Sequence, residues 1–338
     1  MKNIFVDLSV LEKHMRLYNA CGNIIGIAPL AYINYRGDFR KDRTLRTFLH
    51  TWGGKNNCDS IMVLTGSPLF RKSRGYHVSM DVFEPKGTDN SGLPGGVSTM
   101  CGNGLRAVAH FLEELVGDIS NFQVMTKSGM RNIVKKEHDL YQVNMGRFFS
   151  KASVLSRYIT PGKLKSKHGY FVDSQIPQDI KRLIGKYISA QTWSIGLNGS
   201  YDKNGNIDGE PHVVIFLNEK IKTVNTLRKI AIKVGPLITK HTALFPFEVN
   251  VNFAVINPQD KNNVSVLLCT HERNLGNDPK HSVTAACGTG STVVGALLFE
   301  KLRLTNNQSV TVNLLGGDLT IHKNEENLFM TGSVVSLL

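Results

Sequence analysis

The chain of 338 residues predicts an α/β protein made of two similar halves. Three observations carry this. One short motif occurs twice, strand signals outnumber helical ones, and the length suits two ordinary domains or one large one. The repeated motif is Val97-Ser-Thr-Met-Cys101-Gly-Asn-Gly104 and Val283-Thr-Ala-Ala-Cys287-Gly-Thr-Gly290. A matched pair with valine at the same offset implies two half-structures, each presenting a thiol at the start of a helix.

Strands are predicted where residues alternate or run β-branched: Tyr76 to Phe83, Tyr141 to Met145, His212 to Leu217, Val249 to Val255 and Val264 to Leu268. After Cys101, Leu105, Val108, Ala109, Leu112 and Leu115 fall at helical spacing. After Cys287, Val294, Leu297 and Leu298 do the same. Val224 to Val234 and Ile180 to Ile188 are the other helical candidates. Turn-rich segments, Gly87 to Gly96 and Asn274 to His281, precede the two motifs and are expected to frame a cleft. No Pro/Ser linker separates the halves, which ordinary chain near Met145 to Ser150 must join.

Chemistry follows from the helix starts. The first N–H groups of a helix lack internal partners and carry partial positive charge, so they favour a thiolate and can cradle a carboxylate. Glycines on either side of Asn103 and Thr289 let a substrate approach the backbone closely. Two thiols at such positions suggest paired proton donors acting on an anionic substrate.

Composition narrows the alternatives. At 41% hydrophobic and 20% charged residues the chain is of soluble globular type, and its apolar stretches fall short of a membrane span or signal core. The cytoplasm is the expected location. Five cysteines, Cys21, Cys58, Cys101, Cys269 and Cys287, without C-x-x-C spacing, indicate neither a disulfide framework nor a zinc site. No metal or cofactor is expected. The net charge of +13 is spread over Arg36, Arg40, Lys41, Arg43, Arg46, Arg71, Lys72, Arg74, Lys163, Lys165 and Lys167 without a nucleic-acid signature. These residues read as solvated faces and as a field that attracts anionic metabolites.

The ordered set of motifs resembles the diaminopimelate epimerase family. Besides the two cysteine motifs, Gly22-Asn23, Gly209-Glu-Pro-His212, Phe247-Glu-Val-Asn250 and His271-Glu-Arg273 are similar to family elements. So are Val124 to Gly129, Leu315 to Ile321 and Leu328 to Gly332. The resemblance implies two pseudo-symmetric halves, each a sheet wrapped around a central helix, with the active site between them. The final strand should return to the first half, giving residues 1–147 plus 328–338 against 148–327.

The resemblance also implies an isomerase that inverts an amino-acid α-carbon without a cofactor, Cys101 and Cys287 serving as thiolate base and thiol acid and exchanging roles in reverse. His212 and Glu272 would orient or help deprotonate the thiols. The N–H groups around Gly102, Asn103, Gly288 and Thr289 would hold the α-carboxylate. Asn23, Glu84, Glu210, Asn250 and Arg273 would complete the substrate site. The partner implied is a small amino acid, with no nucleic acid or membrane; a homodimer is compatible.

Two departures bear on substrate. Where the family has asparagines, this chain has Glu84 in Phe83-Glu-Pro-Lys-Gly87 and Glu210 in Gly209-Glu-Pro-His212. Carboxylates there favour a cationic distal group, as in histidine, lysine or arginine. Arg273 argues the other way unless one of the glutamates engages it. Three readings stay open: a basic amino-acid racemase, diaminopimelate epimerase itself, and a non-catalytic ligand-binding protein on the same fold.

Overall fold

The computed structural model describes residues 7–33, 35–65, 77–89, 91–117, 119–156, 158–160, 170–172, 178–185, 192–201, 207–218, 220–257, 263–273, 280 and 282–337. The chain forms two compact units, Met1–Asn144 with Thr331–Leu338, and Met145–Met330.

The first unit contains α1 (Leu8–His14), β1 (Arg16–Ala20), β2 (Asn23–Pro29), α2 (Arg43–Lys55), β3 (Ser60–Thr65), β4 (Val78–Thr88) and β5 (Pro94–Ser98). It continues with α3 (Gly102–Val116), β6 (Asn121–Thr126), β7 (Gly129–Glu137) and the start of β8 (Leu140–Phe149). Pairs β1/β2, β3/β4, β4/β5, β6/β7 and β7/β8 are antiparallel, whereas β2/β3 and β4/β6 are parallel. Parallel neighbours need a crossover, and α2 and α3 supply the two. α3 touches β1, β2, β3 and β7, while α2 lies on β3, β4 and β5. Covered by both helices, β3 buries Ile61, Met62, Val63 and Leu64 in one run. Ile61 and Val63 join Leu45, Leu49 and Trp52 of α2 in a core, and Met62 lies so close to α3 that a Cβ on Gly104 would stand 2.1 Å from its sulfur.

The second unit repeats this plan. After α4 (Ala152–Leu155), β9 (Tyr170–Val172) and α5 (Gln178–Ile184) come β10 (Thr192–Tyr201), β11 (Ile207–Phe216), α6 (Val224–Thr239), β12 (Asn250–Asn257) and β13 (Asn263–His271). Then follow α7 (Gly288–Leu302), β14 (Ser309–Leu314) and β15 (Gly317–Asn324). β10/β11, β12/β13 and β14/β15 are antiparallel; β11/β12 and β13/β14 are parallel, with α6 and α7 as crossovers. α7 touches β10, β11, β12, β14 and β15. It is buried without interruption from Gly288 to Phe299, as a helix apolar on all sides must be. Side chains alternate along β12: Val251, Phe253 and Val255 enter the core shared with α6, leaving Asn250, Asn252 and Ala254 for the other face.

The chain passes between units inside β8 and returns inside β16 (Asn327–Ser333), before β17 (Val335–Ser336) pairs antiparallel with β1. A continuous strand therefore stands where a joining segment near Met145 to Ser150 was expected. The turn-rich stretch from Gly87 to Gly96 is mostly a hairpin: β4 reaches Thr88 and β5 begins at Pro94, because Asp89 accepts from the N–H groups of Ser91 and Leu93 in a tight turn. The helix expected over Ile180 to Ile188 is α5, with 186–188 outside the described residues. Tyr76 and most of 274–281 also lie outside them.

α2 was not expected, and Arg46 within it corrects the reading of the basic residues as solvated. Arg46 is 1% exposed. Its guanidinium donates to Pro94 O and Arg40 O at 2.9 Å, to Gly95 O at 2.5 Å and to Asp89 Oδ2 at 2.6 Å. One buried cation thus fixes the β4/β5 hairpin that leads to Cys101. Among the described residues no helix is long and apolar enough to cross a membrane.

Candidate active site

Each cysteine is the N-cap of its helix, with extended backbone: φ is −134° at Cys101 and −119° at Cys287. Cys101 Sγ accepts from Gly104 N at 3.3 Å and Cys287 Sγ from Gly290 N at 3.4 Å. The cap satisfies one orphan N–H, while the helix end favours negative charge on sulfur. Cys101 is half-buried and Cys287 is buried. All five cysteines are thiols.

In the second unit the sequence-predicted residues form one network. Glu272 follows β13, and Thr284 Oγ1 donates to its Oε1 at 2.6 Å. Burial, and next the Glu272 carboxylate, push the Cys287 thiol well above its ordinary range, outweighing the Thr289 hydroxyl and Gly290 N–H that favour thiolate. Cys287 therefore rests protonated beside a carboxylate. Thr289 Oγ1 stands 3.5 Å from its sulfur.

His212, on β11, is fully buried, and burial lowers it to about 3, helped by the nearby Arg273 charge. Thr270 Oγ1 donates to Asn252 Oδ1 at 2.8 Å, which leaves Asn252 Nδ2 to donate to Val213 O at 3.1 Å and His212 Nδ1 at 3.0 Å. Asn250 Nδ2 faces His212 Nε2 at 3.5 Å, so the closer Asn252 amide decides the tautomer and the neutral ring carries its proton on Nε2. The same Asn252 Oδ1 lies under Gly290, where a Cβ would stand 2.4 Å away. His212 is thus tied to the floor of the Cys287 helix start.

Asn250 Oδ1 accepts from Arg273 N at 2.8 Å. The Arg273 guanidinium donates to Phe247 O at 2.9 Å and pairs with Glu210 at 2.9 Å, both side chains mostly covered. Arg273 is therefore engaged by one of the two glutamates that depart from the family pattern.

In the first unit Asn23 opens β2 after a turn in which Cys21 and Gly22 have φ of 54° and 81°. Glu84 lies on β4, where the Ser98 hydroxyl donates to its Oε1. Asn103 is buried, and its side chain is taken by Arg106, whose Nη2 donates to Oδ1 at 2.7 Å. Arg106 is itself 0% exposed and also donates to Ser333 O at 2.8 Å and Cys21 Sγ at 3.5 Å. At the equivalent position α7 has Thr292, bonded back to Gly288 O at 2.8 Å.

Sequence reasoning missed Asn252, Thr270, Thr284, Ser98 and Arg106. Signals existed for three of them. Ser98 and Thr284 stand at the same offset inside the repeated motif, and Asn252 shares the period-two face of Asn250. Among the described residues no group of three or more His, Cys, Asp or Glu is placed to hold a metal. A cavity of about 320 Å³ in the second unit is lined by Ala296 and Glu300 of α7 together with Arg147 and Lys323, and holds none of the predicted site residues.

In each unit the second crossover is a thiol-capped buried helix, and the curated relatives make the chain an isomerase of the epimerase and racemase type. A Halothermothrix orenii diaminopimelate epimerase is 30% identical over 250 residues, 72% of either chain, and the diaminopimelate epimerase family model matches residues 207–337. The chain belongs to the diaminopimelate epimerase family. Solved structures extend the fold more widely. A PhzF-family phenazine biosynthesis protein from Bacillus anthracis superposes with TM-score 0.56 at 14% identity, covering 96% of both chains. A hydroxyproline epimerase from Agrobacterium vitis, with bound trans-4-hydroxy-L-proline, gives 0.55 at 13% identity, covering 96% of this chain and 90% of that one.

Proposed function

We propose that this protein inverts the α-carbon of a free amino acid by a two-thiol mechanism, without an added cofactor. The observation that carries the reading is the repeated cap, a thiol accepting an N–H at the start of each buried helix. A thiolate removes the α-hydrogen from one face and a thiol delivers a proton to the other. Each reverts in the opposite direction. The N–H groups of Gly102, Asn103, Gly288 and Thr289 hold the α-carboxylate and stabilise charge that develops beside it. Glu272 and His212 orient the thiols, Glu272 receiving the Cys287 proton when that sulfur must act as base.

The substrate class that fits is an amino acid with a cationic distal group, histidine, lysine or arginine. Arg273, the cation that family resemblance directs at a distal carboxylate, is paired with Glu210. A compensated arginine offers a distal carboxylate little, which favours a substrate whose distal group is ammonium, imidazolium or guanidinium. The second reading, inversion of diaminopimelate, is favoured by the names of the curated relatives. A panel of L-amino acids and LL-diaminopimelate in deuterated water, followed by NMR for α-proton loss, separates the two. Fast exchange of diaminopimelate with none in any basic amino acid overturns the first reading.

A further inference from the structure

Glu84 and Glu272 occupy equivalent places in their units. Phe83 of β4 pairs with Val97, four residues before Cys101, and His271 of β13 pairs with Val283, four residues before Cys287. The next residue in the chain after each is the glutamate. The hydroxyl three residues before each cysteine, Ser98 or Thr284, donates to Oε1 of that glutamate. The other Glu84 oxygen, Oε2, lies against Gly96. The intervening loops differ in length, so only the strand pairing reveals the equivalence.

We propose that Glu84 is to Cys101 what Glu272 is to Cys287, a hydroxyl-held carboxylate that takes the thiol proton and returns it. The S–H bond of Cys101 breaks, an O–H bond forms on Glu84, and the electron pair stays on sulfur as the thiolate. When Cys101 must act as the acid, the proton moves back. This assigns Glu84 to proton transfer rather than to the far end of the substrate, and it rests on the two-thiol reading.

Among the described residues, other charged and titratable groups lie on or near α3. Arg46 with Asp89, and Lys86 with Asp59, are paired near the hairpin. Arg106, Cys21 and Tyr18, and Arg131 on β7, belong to α3 or to elements packed on it. His110, Glu113 and Glu114, with Lys135 and Tyr141 on them, sit about 13 to 20 Å along the helix from Cys101 at 1.5 Å per residue.

The test is carboxamidomethylation of the intact protein with iodoacetamide across pH, with peptide mapping at both cysteines. In Glu84→Gln the midpoint at Cys101 should fall by about one unit or more while that at Cys287 stays, because the adjacent negative charge has gone. Glu272→Gln should do the mirror image. In turnover, Glu84→Gln should lower kcat by about 100-fold or more with KM nearly unchanged, and Glu84→Asp, which keeps the charge, should recover part of the loss. An unmoved Cys101 midpoint in folded Glu84→Gln, or an effect on KM alone, overturns the proposal. Full inversion by Cys101→Ala would instead sink the two-thiol reading, leaving the alkylation profile as a separate test of the pairing.

Discussion

Cys101 and Cys287 cap α3 and α7 through the same contact, at 3.3 and 3.4 Å, yet one turn further on the helices part. α3 carries Arg106, a fully buried guanidinium that spends itself on Asn103, Cys21 and a backbone carbonyl. α7 carries Thr292, turned back onto its own helix, and leaves its thiol beside Glu272 in a drier setting. The backbone device is common to both; the electrostatics are not. In the two-thiol reaction proposed above, equivalent scaffolds must share one proton unequally. Different neighbours around one shared device supply that inequality.

The largest effect should come from removing either sulfur. Cys101→Ala and Cys287→Ala should each lower inversion by 10²-fold to 10⁴-fold, about 3 to 5 kcal/mol of barrier, measured by circular dichroism of the substrate. Activity in one of them alone would break the equivalence of the caps.

Acid should separate the units next. His212 and His271, both in the second unit, are lowered to about 3 and about 4 by burial, so the unfolded chain binds protons there that the folded chain refuses. Stability they contribute is present above pH 6.5 and is lost as pH falls toward these values, on the order of a few kcal/mol. Hydrogen exchange should show peptides of β11 and β12 losing protection before those of β2 and β3. The reverse order would contradict it.

The helix starts can be compared by filling their glycines. Gly290→Ala pushes a methyl against the bonded amide of Asn252, whereas Gly104→Ala meets the flexible thioether of Met62. Thermal melts should show a loss of about 1 to 3 kcal/mol for the first and less for the second. Equal losses would mean that the floors under the two helices are equally yielding.

The smallest effect belongs to the hydroxyls. Thr284→Val and Ser98→Ala each remove one half-buried bond to a carboxylate, and each should cost about 0.5 to 1.5 kcal/mol in stability, seen as a shift in urea midpoint. A loss at one site only would sharpen the difference between the caps.

Much of this comparison was legible in the chain. The caps, the glycines and the apolar helices behind them are local, and local spacing displays them. β12 announced its two faces through Asn250-Val-Asn-Phe253, but what the polar face was for depended on Thr270 and Gly290, distant in sequence. α2 stayed hidden because Thr44, Thr47, Thr51, Gly53 and Gly54 are poor helix formers, and its stability comes from docking Leu45, Leu49 and Trp52 on β3. The hydroxyl on Glu84 was hidden for a related reason. Ser98, which supplies it, lies across a hairpin whose turn, fixed by Arg46 and Asp89, is set by tertiary bonds rather than by spacing.

The return of Thr331–Leu338 to the first unit imposes an order on biosynthesis. A ribosome emits Met1–Asn144 first, yet β1 still lacks its neighbour β17, Arg106 lacks the Ser333 carbonyl, and Asp139 O and Leu17 O lack the N–H groups of Val334 and Leu337. All of Met145–Met330 must emerge before those bonds can close. The earlier-born half is therefore the later one to finish, and it waits with an open strand edge that a chaperone or a neighbouring nascent chain can reach.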